Sequence, residues 1–202
     1  MQMRLEEKDD YLKVEEMVRN AFWNIYRPGA YEHLIVHNLR NHESFINDLA
    51  YVIENDGEII GHINYSYGTI TYENGECEKA AVLGPIAIDK KHQNMGYGSK
   101  LIEFTLTAAE EKGMPYVFVI GDENYYSRFG FKSASRYQMY LEGTDASEEC
   151  PFFMIKVFDE SKLRKGIFKN PDVFDVDESD VDEFDRQFEH KEKLILEGQL
   201  GV

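Results

Sequence analysis

The stretch Leu83-Gly84-Pro85-Ile86-Ala87-Ile88-Asp89, continued through His92 by Gln93-Asn94-Met95-Gly96-Tyr97-Gly98-Ser99, decides how this chain is read. Lys79–Asp89 has the apolar density of a strand. Gly84-Pro85 within it marks an edge or a bulge, because a proline cannot donate to a ladder. Past the glycines, Leu101, Ile102, Thr105, Ala108 and Ala109 share one face of a helix from about Gly98 to Lys112, which Lys112-Gly113 and Pro115 terminate. Tyr116–Ile120 is then a continuous apolar run, as expected of a strand buried on both faces. Strand, turn, helix and strand together predict a right-handed βαβ unit.

The turn stands where a helix begins. The first N–H groups of a helix have no internal partner, and the dipole there favours negative charge. Glycines let the backbone curl around a bulky anion with no Cβ in the way, which suits a pyrophosphate. The plainer alternative is that Gly96 and Gly98 only shape a tight turn. A dinucleotide fingerprint needs a third glycine where Leu101 stands, and a P-loop sequence occurs nowhere.

Outward from this unit, Val14, Met17, Val18, Ala21 and Phe22 follow helical spacing behind Asp9 and Asp10. A short strand near Met3–Leu5 precedes them, and Tyr31–Arg40 reads as a second helix. Leu49–Glu54 and Glu58–Tyr67 flank Asn55-Asp56-Gly57, a strong hairpin signal. On the other side, a short helix at about Glu123–Phe129 is closed by Gly130. Strands near Phe131–Tyr140 and Phe152–Phe158 complete the sheet. In the C-terminal segment Val181, Phe184 and Phe188 predict a short docked helix, with a capping signal at Ser179 and Asp182.

The chain has 202 residues and 43% hydrophobic content, enough for one domain with a proper core. Its net charge is −16, and Asp172–Glu192 carries ten Asp and Glu against two Lys and Arg. Such a chain repels phosphates, which argues against nucleic acid as a partner. No apolar window is long enough to span a membrane, and the N-terminal residues lack the apolar run of a secretory signal. Cys77 and Cys150 form no C-x-x-C pattern, as expected of reduced thiols, so a cytoplasmic location is expected.

The segment Leu83–Gly98 and its following helix resemble the acyl-CoA motif of the GNAT family of N-acetyltransferases, Gln/Arg-x-x-Gly-x-Gly/Ala after a strand. Tyr125-Tyr126-Ser127-Arg128-Phe129-Gly130-Phe131 resembles that family's second landmark, a tyrosine four residues before Gly-Phe. With Gly121-Asp122 it is similar to the YhbS-type subgroup. The resemblance extends over about Met1–Phe158 in element order, and its specific motifs lie in Leu83–Phe131.

The resemblance implies an α/β (α+β) fold, with a mixed, mostly antiparallel central sheet, a splayed parallel strand pair and flanking helices. It implies an acetyltransferase domain over 1–158 and an acidic extension over 159–202. It further implies transfer of an acetyl group from acetyl-CoA to a primary amine of a small molecule or peptide, by direct attack on the thioester. The backbone of Ile86, Ala87 and Ile88 would meet the pantetheine arm. Gln93, Asn94, Met95, Gly96, Tyr97, Gly98, Ser99 and Lys100 would hold the pyrophosphate, with Gln93 shaping the loop or adding a hydrogen bond. Tyr126 would protonate the leaving thiolate, and the Ile86 N–H would stabilise the oxyanion.

Tyr126 could instead be one more core aromatic, with Tyr125 the neighbour easily confused with it. Glu32, His33, His37 and Asp122 are weaker candidates for the acceptor side or a general base. Asp122 reads more simply as a helix N-cap. His33 and His37 have the spacing to share a metal, but no third ligand is evident and no metal is expected. The alternative function is an acyl-CoA-binding sensor or regulatory module with little turnover. A third reading makes the acidic extension the working part, capturing a basic partner. A homodimer is in keeping with related folds.

Overall fold

Asp56 and Gly57 both take left-handed backbone angles, φ 52° and 83°, and so close a tight hairpin between two antiparallel strands. The computed structural model describes residues 1–145 and 150–199. Its strands are β1 (Gln2–Leu5), β2 (Tyr51–Asn55), β3 (Glu58–Tyr72), β4 (Cys77–Ile88), β5 (Tyr116–Ile120), β6 (Lys132–Ser133), β7 (Met139–Leu141), β8 (Phe153–Val157) and β9 (Gly166–Lys169). The α-helices are α1 (Tyr11–Phe22), α2 (Glu32–Leu39), α3 (Tyr97–Glu111), α4 (Glu123–Tyr126) and α5 (Glu178–Asp185). The fold is mixed α/β, with mostly antiparallel pairing, a parallel β4–β5 pair and flanking helices. The chain forms two compact units.

The first unit comprises Met1–Asn64, Pro85–Leu101 and the chain from Asp172 onward. In it β1 pairs antiparallel with β2, Gln2 opposite Glu54 through Leu5 opposite Tyr51, and β2 pairs antiparallel with the first half of β3. The apolar stripe read from the sequence faces inward. Val14, Met17 and Val18 of α1 meet Val36 of α2, Val52 of β2 and Ala87 of β4, and Ala21 and Phe22 pack at the margin.

The second unit comprises Tyr65–Gly84 and Ile102–Pro171. Its β4–β5 pairing joins Ala81, Val82 and Leu83 to Val117, Phe118 and Val119. It ends before Gly84, whose φ of 134° breaks the strand geometry. β8 pairs antiparallel with β5 and with β6. The core is aromatic: the Phe118 and Phe153 rings stack at 5.1 Å and 7°, and Phe168 closes on Phe118 at 4.5 Å. A Cβ on Gly68 would come within 2.3 Å of the Phe168 ring, so this strand position needs glycine.

The strand expected over Phe131–Tyr140 is broken. β6 ends at Ser133, a 3-10 turn covers Ala134–Tyr137, and Gln138 takes a left-handed φ of 59° before β7 starts. The strand β9 was not expected. It pairs antiparallel with β3 and parallel with β7.

Candidate functional site

The glycine-rich turn belongs to the first unit. At the end of β4, Asp89 caps a single 3-10 turn over Lys90–His92. Its Oδ1 accepts from the Lys91 N–H at 3.0 Å and lies 3.0 Å from His92 Nδ1. Gln93 Nε2 donates to the Ile88 carbonyl at 3.0 Å, tying the turn back to the strand it leaves. Asn94 and Gly96 both adopt left-handed angles, φ 63° and 82°. A Cβ on Gly96 would meet nothing within 4 Å, so the turn opens onto free space there.

Helix α3 starts immediately, and its Lys100 N–H donates to the Gly96 carbonyl at 3.1 Å. The N–H groups of Tyr97, Gly98 and Ser99 precede that first bond and have no intrahelical acceptor to reach. Curled backbone, open space and a helix N-terminus together form a cradle suited to a pyrophosphate. Met95 is exposed, and Lys100 Nζ sits 5.9 Å from the centre of the Tyr97 ring. Upstream, Ala87 is buried in the first unit's core while Ile86 and Ile88 are half-buried.

Tyr126 lies in the second unit, at the end of the one-turn helix α4. Asp122 is the N-cap of that helix: its carboxylate accepts from the Asn124 N–H at 2.9 Å, and its carbonyl accepts from the Tyr126 N–H at 3.0 Å. The Tyr126 ring rests against Gly121, where a Cβ would be 2.4 Å from Cε2. The Tyr125 and Phe131 rings stand edge-on to it at 5.1 and 5.7 Å. The phenol is therefore held by packing and is only 9% exposed.

Sequence reasoning missed its neighbour Tyr65. This fully buried residue of β3 has its hydroxyl 2.9 Å from Thr105 Oγ1. Burial pushes the Tyr65 phenol well above its ordinary value; the Thr105 hydrogen bond opposes that shift, and the nearby Tyr126 adds to it. A tyrosine inside an apolar strand reads as ordinary core, so no local signal marks it.

The acceptor-side candidates of α2 fall in a third place, within the first unit. Glu32 Oε2 accepts from the Tyr31 N–H at 3.0 Å, and burial raises its carboxyl above the ordinary range. His33 is fully buried, with Nε2 3.3 Å from Asp185 Oδ1 and its ring 5.4 and 5.6 Å from Phe184 and Phe188. His37 Nδ1 lies 2.9 Å from Glu15 Oε1, and its ring centre is 4.6 Å from that of Phe184. Both histidines thus face the C-terminal extension.

Also missed was Arg19, 1% exposed on α1, whose guanidinium grips Asp185 and lies 4.2 Å over the Trp23 ring. Further bonds hold the segment beyond α5: Trp23 Nε1 and Asn24 Nδ2 both donate to the Glu192 carbonyl at 3.0 Å. Among the described residues no three His, Cys, Asp or Glu side chains gather as a metal site, and no helix is long and apolar enough to cross a membrane.

Residues 15–131 match the family described as Acetyltransferase (GNAT) family. The chain is 27% identical over 139 residues to the uncharacterized N-acetyltransferase YhbS of Escherichia coli (strain K12), covering 69% of this chain and 78% of that protein. It is 29% identical over 128 residues to the uncharacterized N-acetyltransferase YjhQ of the same strain, covering 62% of this chain and 66% of YjhQ. Among solved structures, a GNAT family acetyltransferase from Brucella melitensis in complex with acetyl-CoA matches with a TM-score of 0.70 at 25% identity. That match covers 86% of this chain and 97% of the other. The Escherichia coli YhbS structure in complex with CoA matches with a TM-score of 0.73 at 22% identity, over 87% and 92% of the two chains, and shows the shared fold.

Proposed function

The chain belongs to the Acetyltransferase (GNAT) family, and from that premise we propose that it transfers an acetyl group from acetyl-CoA to a primary amine of a small molecule or peptide. The observation that carries the reading is the Gln93–Ser99 cradle, with its left-handed Asn94 and Gly96 and its open helix N-terminus. The Brucella melitensis relative binds acetyl-CoA with the same fold.

On this reading the N–H groups of Tyr97, Gly98 and Ser99 and the curled backbone at Asn94, Met95 and Gly96 hold the pyrophosphate, and Lys100 adds charge. Gln93 acts by fixing the loop through Ile88. The backbone at Ile86, Ala87 and Ile88 takes the pantetheine arm, and the Ile86 N–H faces the thioester oxygen. A neutral amine attacks the carbonyl carbon, the C–N bond forms, and the C–S bond breaks to release a thiolate. A phenol near pKa ~10 can protonate a thiolate whose acid is near ~8.5, provided it is held close. Tyr126 is assigned that donation, with Tyr65 and Thr105 beside it.

The test is thiol release from acetyl-CoA over a panel of amines, for the wild type and for Tyr126→Phe. Turnover with at least one amine, reduced in the variant, supports the enzyme reading. Tight CoA binding with no turnover on any amine would favour a sensor module instead.

A further inference from the structure

Within the first unit the C-terminal segment lies along α1 and α2, and side chains hold it there. Among the described residues no strand follows β9, so nothing beyond Lys169 pairs into the sheet. Helix α5 has eight residues, five of them Asp or Glu. A helix this short is marginal in water by itself, and its like charges oppose it. Its order therefore comes from what it touches. Val181 is buried, Asp185 bonds Arg19, and the Phe184 ring meets His33 and His37. Farther along, the Glu192 carbonyl accepts from Trp23 and Asn24, and the Leu194 N–H donates to Asn24 Oδ1 at 3.1 Å. A segment held in this way can open locally and leave the sheet intact.

Beneath it lies a titratable ring that the acetyl-transfer reading does not use. His33 is completely buried. Its Nε2 lies 3.3 Å from Asp185 Oδ1 without an aligned hydrogen bond, and its Nδ1 has no partner among the described residues. Both Asp185 oxygens are already engaged by Arg19, which keeps its charge at any ordinary pH. A charged His33 would set a second cation against that one anion, away from water. Burial accordingly lowers the ring from 6.5 to about 4, against the pull of Asp185 and reinforced by Arg19. The remaining charged group facing the ring from the segment is Lys193, itself paired with Asp182. On α2 its neighbours are Glu32, whose carboxyl burial raises, and His37, which lies 2.9 Å from Glu15.

When α5 lifts, water reaches the ring, and it titrates at its ordinary value. The lifted state takes up a proton that the closed state refuses, so acid favours lifting. With the ring at about 4 when closed and 6.5 when lifted, the ratio of closed to lifted chains falls roughly 30-fold between about pH 7.5 and 5.

We propose that Glu178 to Gln199 form an acid-released strap, closed over α1 and α2 near neutral pH and lifted as a unit in mild acid, with His33 taking the proton that drives release. Lifting uncovers Arg19 and His33 and turns the carboxylates of α5 out to solvent. No residue of the cradle takes part, so the strap stands apart from the acetyltransferase reading.

The test is amide hydrogen exchange on the intact wild-type chain at about pH 7.5 and 5, with intrinsic rates corrected for pH. Protection across Glu178–Asp185 should fall by the factor given above while Tyr116–Ile120 stays protected. Equal protection of α5 at both pH values overturns the proposal. Parallel loss from both segments also overturns it, because that is global unfolding. His33→Phe keeps an aromatic ring and removes the proton site, so α5 should hold its protection in acid. A loss like that of the wild type would remove His33 from the account. Should this variant not fold, 15N NMR of the wild-type His33 ring decides the same point. Protonation in step with the loss of α5 protection supports the strap, and protonation while α5 stays docked overturns it.

Discussion

Arg19 and Asp185 stand 166 residues apart in sequence and form a forked ion pair, with Nε to Oδ1 at 2.5 Å and Nη2 to Oδ2 at 2.8 Å. Arg19 is 1% exposed, so its charge has almost no water to fall back on. The pair fastens α5 to the first helix, and Val181 of α5, 2% exposed, is buried beside it. The acidic extension therefore turns at least one carboxylate inward, and that carboxylate serves the fold.

Replacing Asp185 by alanine strands the Arg19 guanidinium. Removing one partner of a buried pair costs about 3–5 kcal/mol, and Asp185→Ala should fall near the lower end, since Asp185 is partly exposed. Thermal unfolding should show a lower Tm, and limited proteolysis should cut the extension faster. Adding Arg19→Met should recover much of the loss, because a methionine needs no counter-ion. No recovery would mean that the pair is not what holds the segment.

The same contact sets a pH dependence. Burial pushes the Asp185 carboxyl up, but the Arg19 bond and charge outweigh it and hold it below the ordinary range. Its stabilisation is present at neutral pH and is lost as pH falls through its folded value. His33 is lowered by burial from 6.5 to about 4, against the pull of Asp185. The unfolded chain then binds that proton at a higher pH than the folded one, so stability falls as pH drops from about 6.5 towards 4. Both effects have the same sign. Chemical denaturation should show stability falling from about pH 6.5 towards 4 through His33, and falling further below about 3.8 through Asp185. A flat profile in the first range would contradict the His33 assignment, and one in the second the Asp185 assignment.

Tyr126→Phe removes a hydroxyl and leaves the ring packed on Gly121. A general acid contributes about 10²–10⁴-fold, so kcat should fall by about that factor. Calorimetric binding of acetyl-CoA should stay within a few-fold of the wild type. Equal loss of binding would make the phenol a cofactor contact and not the proton donor.

Gly121→Ala tests the placing of the ring without touching its hydroxyl. The new methyl would lie 2.4 Å from Tyr126 Cε2, so the ring must move. Overpacking of this kind costs about 1–3 kcal/mol, and kcat should drop while CoA binding persists. Unchanged kcat would show that the ring's position does not matter to the reaction.

The turn and its surroundings were legible in the sequence because their signals are local. Asp56-Gly57 closes its hairpin, α3 begins within one residue of the expected start, and Tyr116–Ile120 is a strand as its apolar run predicts. Asp122 caps its helix. What was missed depends on partners far away along the chain. Gly166–Lys169 alternates buried and exposed over only four residues, and it becomes a strand because β3 and β7 accept it. Arg19 on a helix reads as a solvated charge until Asp185 is seen against it. His62 and Asn64 sit in a strand as polar interruptions, and the sequence carries no sign that both are completely buried.

The most direct test of the central claim is calorimetric titration of acetyl-CoA into the wild type and into Gly98→Trp, which places an indole at the mouth of the cradle. Saturable binding in the wild type and its loss in a folded variant is the predicted result. No heat in the wild type, or undiminished binding in the variant, would contradict the claim that the Gln93–Ser99 turn holds the cofactor.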